Sequence, residues 1–172
     1  VITTSAHSAA RIEEIQTENI ISKFNEGMRV AVVAGFQGVS DTDRTTTLGR
    51  GGSDTTAVAF AAAFDAIRCD IYTDVDGIYT TDPRITEKAK KLNKISFEEM
   101  LELASLGAKV LQTRSVELAM RFNVKLRVLS SFDSPEIGSG TLVCSEEEIM
   151  ESNVVSGIAY SRDEAKMTLI SV

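Results

Sequence analysis

Residues 46–56, TTLGRGGSDTT, bring three glycines, one arginine and one aspartate together directly before the apolar, helix-forming run AVAFAAAF. Glycines let a backbone approach a ligand closely, and the free N–H groups of a helix N-terminus attract anions. Arg50 adds a planar guanidinium that suits a carboxylate or a phosphate. The stretch is not a Walker A motif, because no lysine follows its last glycine, and it is not GxGxxG, because Asp54 occupies the third glycine position. Spacing alone leaves two interpretations open, an anion site and a plain glycine turn with Ser53 as the helix cap.

A second polar stretch, residues 73–84, reads TDVDGIYTTDPR. Its aspartates suggest calcium, but aligning DVDG with positions three to six of an EF-hand loop puts Tyr72 at position one and Pro83 at position twelve. Calcium needs oxygen ligands at those positions, so the calcium interpretation fails. We interpret the stretch as a loop that contacts the sugar and phosphates of a nucleotide, with Arg84 as a phosphate ligand. A solvated turn is the alternative, and the sequence does not decide between the two.

Lysine, cysteine and histidine are the other residue types that could take part in catalysis or metal binding. Lys109 follows a glycine break at the entry to a predicted helix, where it can serve as a phosphate ligand, although most single lysines are solvated. Cys69 and Cys144 lie in apolar, strand-like surroundings without ligand spacing and are expected to be buried, reduced thiols. His7 is the only histidine, so zinc chemistry and a Ser-His-Asp triad within the chain are not expected. No protein ligand for a metal is predicted.

The elements that must position these residues alternate between strands and helices, which indicates an α/β fold with a mostly parallel sheet. Residues 29–36 (RVAVVAGF) form a nearly continuous β-branched run, typical of a strand buried on both faces. Ser96 and Glu99 have the spacing of a capping box. Ligands of open parallel sheets bind beyond the carboxyl ends of the strands, where both polar stretches lie. The other predicted strands are residues 11–15, 68–73, 126–131 and 138–144, and the predicted helices are residues 17–26, 53–66, 96–106 and about 112–122.

Composition narrows the class of partner. The chain has 172 residues, of which 43% are hydrophobic, and a formal net charge of −7. An acidic chain argues against general nucleic-acid binding, but not against an anionic substrate held by a few local cations. No apolar run is long enough to cross a bilayer and no signal peptide opens the chain, so a cytoplasmic protein is expected. The chain begins at Val1 without a methionine and ends in the strand-like MTLISV, which suggests a fragment of a longer protein.

Five collinear segments resemble aspartokinase, a member of the amino-acid kinase family: VAGFQG (33–38), TTLGRGGSDTTA (46–57), YTDVDGIYTTDPR (72–84), SFEEMLELASLGAKVLQTRSVELA (96–119) and EAKMTL (164–169). The resemblance implies a mostly parallel sheet sandwiched by helices over residues 1–145, the C-terminal portion of an amino-acid kinase catalytic domain. It further implies a linker at residues 146–152 and, at residues 153–172, the first strands of a regulatory α+β domain of the ACT type.

The same resemblance implies ATP-dependent phosphorylation of the β-carboxylate of L-aspartate, the first step towards lysine, threonine and methionine. Magnesium is implied only as the ion that accompanies ATP. Phosphoryl transfer of this kind needs two anions brought together and their charge neutralised, rather than a covalent nucleophile. The absence of a catalytic histidine or cysteine motif is therefore expected.

Residue roles carried over from the family divide into two sets. On the amino-acid side, Arg50 matches the arginine that clamps the α-carboxylate, Gly51, Gly52 and Ser53 line the same site, and Asp54 matches the aspartate that organises the catalytic lysines. On the ATP side, Thr73 and Asp74 match strand-end residues near adenosine, Tyr79, Thr80, Asp82, Pro83 and Arg84 match the nucleotide loop, and Lys109 matches a lysine on the phosphates.

One departure from the family is large. The amino-terminal segment Lys-Phe-Gly-Gly-Thr-Ser, which supplies a catalytic lysine and phosphate-binding glycines, is not in this sequence, and neither is a substrate-binding glutamate. We therefore expect the chain by itself to be inactive, and its parent to be a homo-oligomer or an αβ assembly joined through ACT domains. Two alternatives stay open: another amino-acid kinase acting on glutamate, N-acetylglutamate or UMP, and a non-catalytic module that binds a nucleotide or a partner subunit.

Overall fold

A computed structural model describes residues 1–108, 110–134, 140–149 and 157–159. These residues form two four-stranded sheets and four α-helices. The strands are β1 (Ile2–Thr3), β2 (Ile12–Glu14), β3 (Gln37–Val39), β4 (Thr45–Thr47), β5 (Cys69–Thr73), β6 (Lys94–Ser96), β7 (Leu126–Ser130) and β8 (Thr141–Cys144). The helices are α1 (Glu18–Asn25), α2 (Gly52–Ala63), α3 (Phe97–Ser105) and α4 (Thr113–Phe122), followed by a 3₁₀ turn at Glu146–Glu148.

One sheet has the strand order β5-β7-β8-β6 and contains both parallel and antiparallel pairs. Its strands include more residues than those of the other sheet, so it is called the larger sheet. The pairs β5–β7 and β6–β8 are parallel, whereas β7–β8 is antiparallel. The predicted α/β class is confirmed: two of the three strand pairs in this sheet are parallel, and the antiparallel pair β7–β8 makes the sheet mixed. A parallel neighbour needs a crossover of about a dozen residues or more, and the link between β7 and β8, residues 131–140, is shorter than that.

One face of the larger sheet carries the core. Leu126, Val128 and Val143 point to the same face, where they pack against buried side chains of α2, α3 and α4. On the opposite face Asp70 pairs with Arg127 across β5 and β7, with 2.6 Å between Oδ2 and Nη2. Helices α2, α3 and α4 thus cover the core face of this sheet.

The predicted capping box at α3 is confirmed. The N–H of Glu99 donates to Oγ of Ser96 at 3.2 Å, and the N–H of Ser96 donates to Oε2 of Glu99 at 3.1 Å. Each side chain satisfies a backbone donor that the helix itself leaves unpaired. The beginning of α3 is therefore encoded locally.

The strand predicted at residues 29–36 is wrong for this structure. Residues 29–35 belong to neither sheet, and β3 begins only at Gln37. Val30 is 76% exposed and Val32 is 96% exposed. A segment becomes part of a sheet when a neighbouring strand accepts its backbone hydrogen bonds, and no strand among the described residues pairs with residues 29–35.

The C-terminal expectations fall largely outside the described residues. The ACT-type strands predicted within residues 153–172 are described only at residues 157–159, which form no strand. The predicted linker contains the 3₁₀ turn Glu146–Glu148. The division into domains therefore stays a prediction. Within the described ranges, no helix has the length and apolar character needed to span a bilayer.

Both cysteines are free and buried, which confirms that prediction. Burial raises the pKa of the Cys69 thiol to about 11, and burial also raises the pKa of Cys144. The reactive form of cysteine is the thiolate, so both groups stay protonated and unreactive at neutral pH. They contribute to the core rather than to chemistry.

Candidate functional site

The glycine loop, defined as residues 48–54, joins β4 to α2 through a backbone with two positive φ angles. Gly49 has φ +79°, and Gly51, which caps α2, has φ +69°. Side chains other than glycine rarely adopt this left-handed region. A Cβ atom on Gly49 would also lie 2.8 Å from the carbonyl oxygen of Ser8, and one on Gly51 would lie 2.3 Å from Cγ of Gln112. The turn itself therefore requires both glycines.

The first turn of α2 is braced by two threonines. Thr55 donates through Oγ1 to the carbonyl of Gly51 at 2.9 Å, and Thr56 donates in the same way to Gly52 at 2.7 Å. Oγ1 of Thr56 also accepts a hydrogen bond of 3.1 Å from the N–H of Phe36. The first N–H groups of an α-helix have no acceptor within the helix. This braced turn therefore offers fixed donors and the positive end of a helix dipole to an anion.

Arg50 and Asp54 are the charged groups of the glycine loop. Arg50 is exposed, and Ser53, which the sequence offered as the helix cap, is also exposed while Gly51 caps the helix. Burial raises the pKa of the Asp54 carboxyl above its ordinary value, and a hydrogen bond from Ser53 offsets part of that effect. A cation placed beside a partly desolvated carboxylate gains more than one beside a solvated carboxylate. The arrangement suits a carboxylate that pairs with a cation.

Asp54→Asn is expected to raise the melting temperature of the chain at pH 7 by up to about 3 °C, because it removes a charge that burial disfavours. The folded pKa lies above the unfolded one, so the destabilisation is present when the carboxylate is ionised. It fades as the pH falls through the folded pKa towards the unfolded value of about 3.9. Thermal melts at pH 7 and pH 4 measure the difference, and Asp41→Asn on an exposed turn is the control. A lower melting temperature for Asp54→Asn at pH 7 would contradict the direction of the shift.

The aspartate-rich loop, defined as residues 73–84, is ordered by its own side chains. The hydroxyl of Tyr79 donates to Oδ1 of Asp76 at 3.0 Å, and Lys91 donates to Oδ2 of the same carboxylate at 3.2 Å. Ile78 is buried in the core and anchors the middle of the loop to the sheet. Tyr79 is thus held in place by neighbours within the chain.

The ends of this loop carry the other predicted ATP-side groups. At the end of β5, Oγ1 of Thr73 donates to Oδ1 of Asp74 at 3.2 Å. Near the C-terminal end of the loop, Arg84 donates two hydrogen bonds to Asp82, from Nη2 to Oδ2 at 2.8 Å and from Nε to Oδ1 at 3.0 Å. Pro83 separates the two residues in the sequence. The guanidinium is exposed but already paired, so a phosphate would have to share it with Asp82.

Chain direction brings the glycine loop and the aspartate-rich loop to one edge of the larger sheet. Short links, residues 64–68 after α2 and residues 123–125 after α4, make each helix run opposite to the strand that follows it. The N-termini of α2 and α4 therefore lie at the same edge as the carboxyl ends of the parallel strands β5 and β7. The close approach of Gln112 to Gly51 is a contact between the two helix N-termini at this edge.

Two residues at this edge were not predicted from the sequence to belong to the site, and one residue that was predicted lies outside the described residues. Gln112 packs over Gly51, and Arg114 donates to the backbone of the glycine loop. A signal for Arg114 existed, since a cation in the first turn of a helix opposes the helix dipole. Lys109 lies outside the described residues, so its role stays a prediction, while Ala108 and Val110 on either side pack against the core.

A cleft of about 500 Å³ runs between α1, residues 31–35 and α2, and it reaches the glycine loop at Ser53. Its walls are mostly apolar and include Phe24, Phe60 and Phe64. An apolar lining of this kind does not suit a polyanionic ligand. Across the described part of the chain, no group of three or more His, Cys, Asp or Glu side chains is placed to hold a metal ion.

The site can now be compared with known proteins. The profile of the amino acid kinase family matches residues 1–130. An aspartate kinase of Pseudomonas putida is 59% identical over 173 residues, which cover 100% of this chain and 41% of that protein. An aspartokinase of Corynebacterium glutamicum is 52% identical over 175 residues, with the same coverage of 100% and 41%. Among solved structures, E. coli aspartokinase III in complex with aspartate and ADP (R-state) gives a TM-score of 0.74 at 42% identity, covering 84% of this chain and 32% of that one.

The chain spans about two fifths of the length of the curated relatives it matches. The family profile extends from β1 through β7 and includes both candidate loops and the helices that position them. The parallel pair β5–β7 and the braced N-terminus of α2 fall inside the matched region, whereas β8 lies beyond it. The chain belongs to the amino acid kinase family.

Proposed function

We propose that this chain is part of an aspartate kinase, which transfers the γ-phosphoryl group of ATP to the β-carboxylate of L-aspartate. The observation that carries the proposal is the meeting of two helix N-termini and two strand ends at one edge, with Gln112 against Gly51. Such an edge can hold two anionic ligands side by side. Identities of 52–59% to proteins named as aspartate kinases support this substrate within the family.

The amino-acid side of the proposed site is the glycine loop. Arg50 binds the α-carboxylate of aspartate through its planar guanidinium, because its side chain is exposed at the start of α2. The backbone of Gly51 and Gly52, with the Ser53 hydroxyl, lines the space beside it. Asp54 orients lysine ammonium groups towards the reacting phosphate, and its partial burial strengthens those pairs.

The ATP side is the aspartate-rich loop. Thr73 and Asp74 lie at the strand end that would face adenosine, and Tyr79 and Thr80 follow Gly77 in the same loop. The remaining members of the loop are Asp82, Pro83 and Arg84, with Arg84 as a phosphate ligand that exchanges part of its pairing with Asp82. Lys109 completes the set as a second cation for the phosphates.

Magnesium would enter this site with the nucleotide. A hard cation of this size keeps several waters and is held mainly by the phosphates and one or two carboxylates. Asp54 and Asp74 are carboxylates at the correct edge, so the residues present fit an ion carried by ATP. When bound, the ion neutralises charge on the transferring group. The chain's own groups supply orientation and the remaining positive charge.

The 172-residue chain alone is expected to make no detectable aspartyl phosphate with MgATP, whereas a polypeptide of the relatives' full length makes it readily. The chain spans only 41% of such a polypeptide, and phosphoryl transfer needs donor and acceptor to be bound together. Hydroxylamine traps acyl phosphates, so hydroxamate formation measures the activity of each protein with aspartate, glutamate and N-acetylglutamate. A coupled assay measures activity with UMP. Preference of the full-length polypeptide for glutamate, N-acetylglutamate or UMP would contradict the assignment, as would hydroxamate formation by the chain alone.

The wider setting belongs to the same proposal. The reaction would be the first step of lysine, threonine and methionine biosynthesis in the cytoplasm. Residues 153–172 would begin an ACT-type regulatory domain, through which the parent protein forms a homo-oligomer or an αβ assembly. Mass measurement of the full-length protein, with and without residues beyond 152, tests the assembly.

A further inference from the structure

Arg114 occupies a position that helix electrostatics disfavours. It is the second residue of α4, in the first turn, where the helix dipole is positive. No acidic residue stands in that turn to compensate, and Gln112 caps the helix without a side-chain hydrogen bond. Something outside the helix must therefore stabilise the guanidinium.

The guanidinium is held by two main-chain carbonyls from distant parts of the chain. Nη1 donates to the oxygen of Leu48 at 2.9 Å, and Nη2 donates to the oxygen of Ala10 at 2.9 Å. Leu48 is 1% exposed and Ala10 is fully buried, so both acceptors belong to packed backbone. Hydrogen bonds from an ionised donor are about twice as strong as neutral ones. Arg114 thus ties α4 to the start of the glycine loop.

The N-terminal end of α4 also restrains Gly51, the residue that follows Arg50. Gln112 packs so closely over Gly51 that a Cβ there would lie 2.3 Å from its Cγ. Arg50 lies between Leu48, which Arg114 holds, and Gly51, which Gln112 covers. The backbone of Arg50 is therefore set by α4, although its own side chain is exposed.

We propose that Arg114 is a positioning residue for aspartate: by holding the Leu48 carbonyl, it sets where Arg50 meets the substrate carboxylate. The proposal rests on the proposed function of the glycine loop. A shift of about 1 Å at such a site is enough to reduce a rate on the order of a hundredfold.

Kinetics of Arg114→Ala in the full-length polypeptide test the proposal. We expect kcat/KM for aspartate to fall by about 10- to 100-fold, with KM for ATP changed by less than about twofold. Arg114→Lys should give an intermediate loss, because an ammonium group can reach one carbonyl but lacks the planar fork. Arg121→Ala, which removes an exposed arginine stacked on Phe122 near the end of the same helix, is the matched control and should leave both constants unchanged.

Hydrogen exchange of residues 47–55 in the same variants provides a readout that does not depend on activity. Arg114→Ala should speed exchange there, while Arg121→Ala should not. Equal losses for aspartate and ATP would assign Arg114 to general stability and overturn the proposal, as would unchanged kinetics in Arg114→Ala. If the unsubstituted protein does not phosphorylate aspartate, the proposed function fails. In that case unchanged exchange overturns the link to the glycine loop, and faster exchange retains it.

Discussion

Arg50→Ala in the full-length polypeptide is expected to raise KM for aspartate by about 10²- to 10³-fold, because it leaves the bound α-carboxylate without its cationic partner. The side chain of Arg50 is exposed, so its removal leaves the folded core intact. A contact that forms equally in the ground and transition states changes KM and leaves kcat in place. Initial rates over a matrix of aspartate and ATP concentrations give the separate constants.

Three variants make the Arg50 result specific. Arg50→Lys retains the charge without the planar fork, and it should recover only part of the affinity. Arg44→Ala removes another exposed arginine from the turn that precedes the glycine loop, and it should have no effect. Arg84→Ala should raise KM for ATP instead. If Arg50→Ala left KM for aspartate unchanged, the glycine loop would not be the amino-acid site.

The glycine loop shows how structure changed the meaning of a sequence pattern. In the sequence, its glycines suggested either a turn or room for a ligand. In the structure, Gly49 faces the carbonyl of Ser8 and Gly51 faces Gln112, so the fold alone accounts for both glycines. These partners lie about 40 and 60 residues away along the chain, and no local pattern reveals them. The argument for an anion site therefore depends on Arg50 and the braced helix N-terminus rather than on glycine content.

Local signals predicted local structure well. The capping box of Ser96 and Glu99 was predicted, because both partners lie within one turn. The antiparallel pairing of β7 with β8 was not predicted, because it depends on the length of the link between them. Arg114 was overlooked for a similar reason, since its acceptors at Leu48 and Ala10 are 66 and 104 residues away. Spacing alone predicted which residue types could bind anions, but not how they are held.

Residues 29–35 show the opposite failure, in which a clear pattern has no matching structure. The run RVAVVAGF is apolar and β-branched, yet Val30 and Val32 are exposed and the segment joins neither sheet. Exposed apolar surface is unfavourable by about 25 cal/mol per Å², and unpaired strand edges are prone to association. A sequence selected for burial on both faces implies a partner, and the relatives are more than twice as long as this chain.

Hydrogen exchange at residues 29–35 is accordingly expected to differ sharply between the 172-residue chain and a full-length polypeptide. In the chain, these N–H groups have no backbone acceptor among the described residues, so they should exchange within about tenfold of the unfolded rate. In the full-length polypeptide, pairing on both sides should slow them by about 10³-fold or more. Peptides covering β7, which pairs with β5 and β8, are the internal reference and should be protected in both proteins.

The outcome decides the structural role of residues 29–35. Protection that appears only in the longer polypeptide would place residues 29–35 inside a sheet completed by the rest of the protein. Fast exchange in both proteins would contradict that expectation and make the run an exposed connector between α1 and β3. Protection in the short chain that grows with its concentration would instead assign the edge to a second copy. Residues 29–35 lead through Phe36 into β3, and the N–H of Phe36 donates to Oγ1 of Thr56 in α2. The pairing state of residues 29–35 would therefore also bear on how rigidly the glycine loop is held.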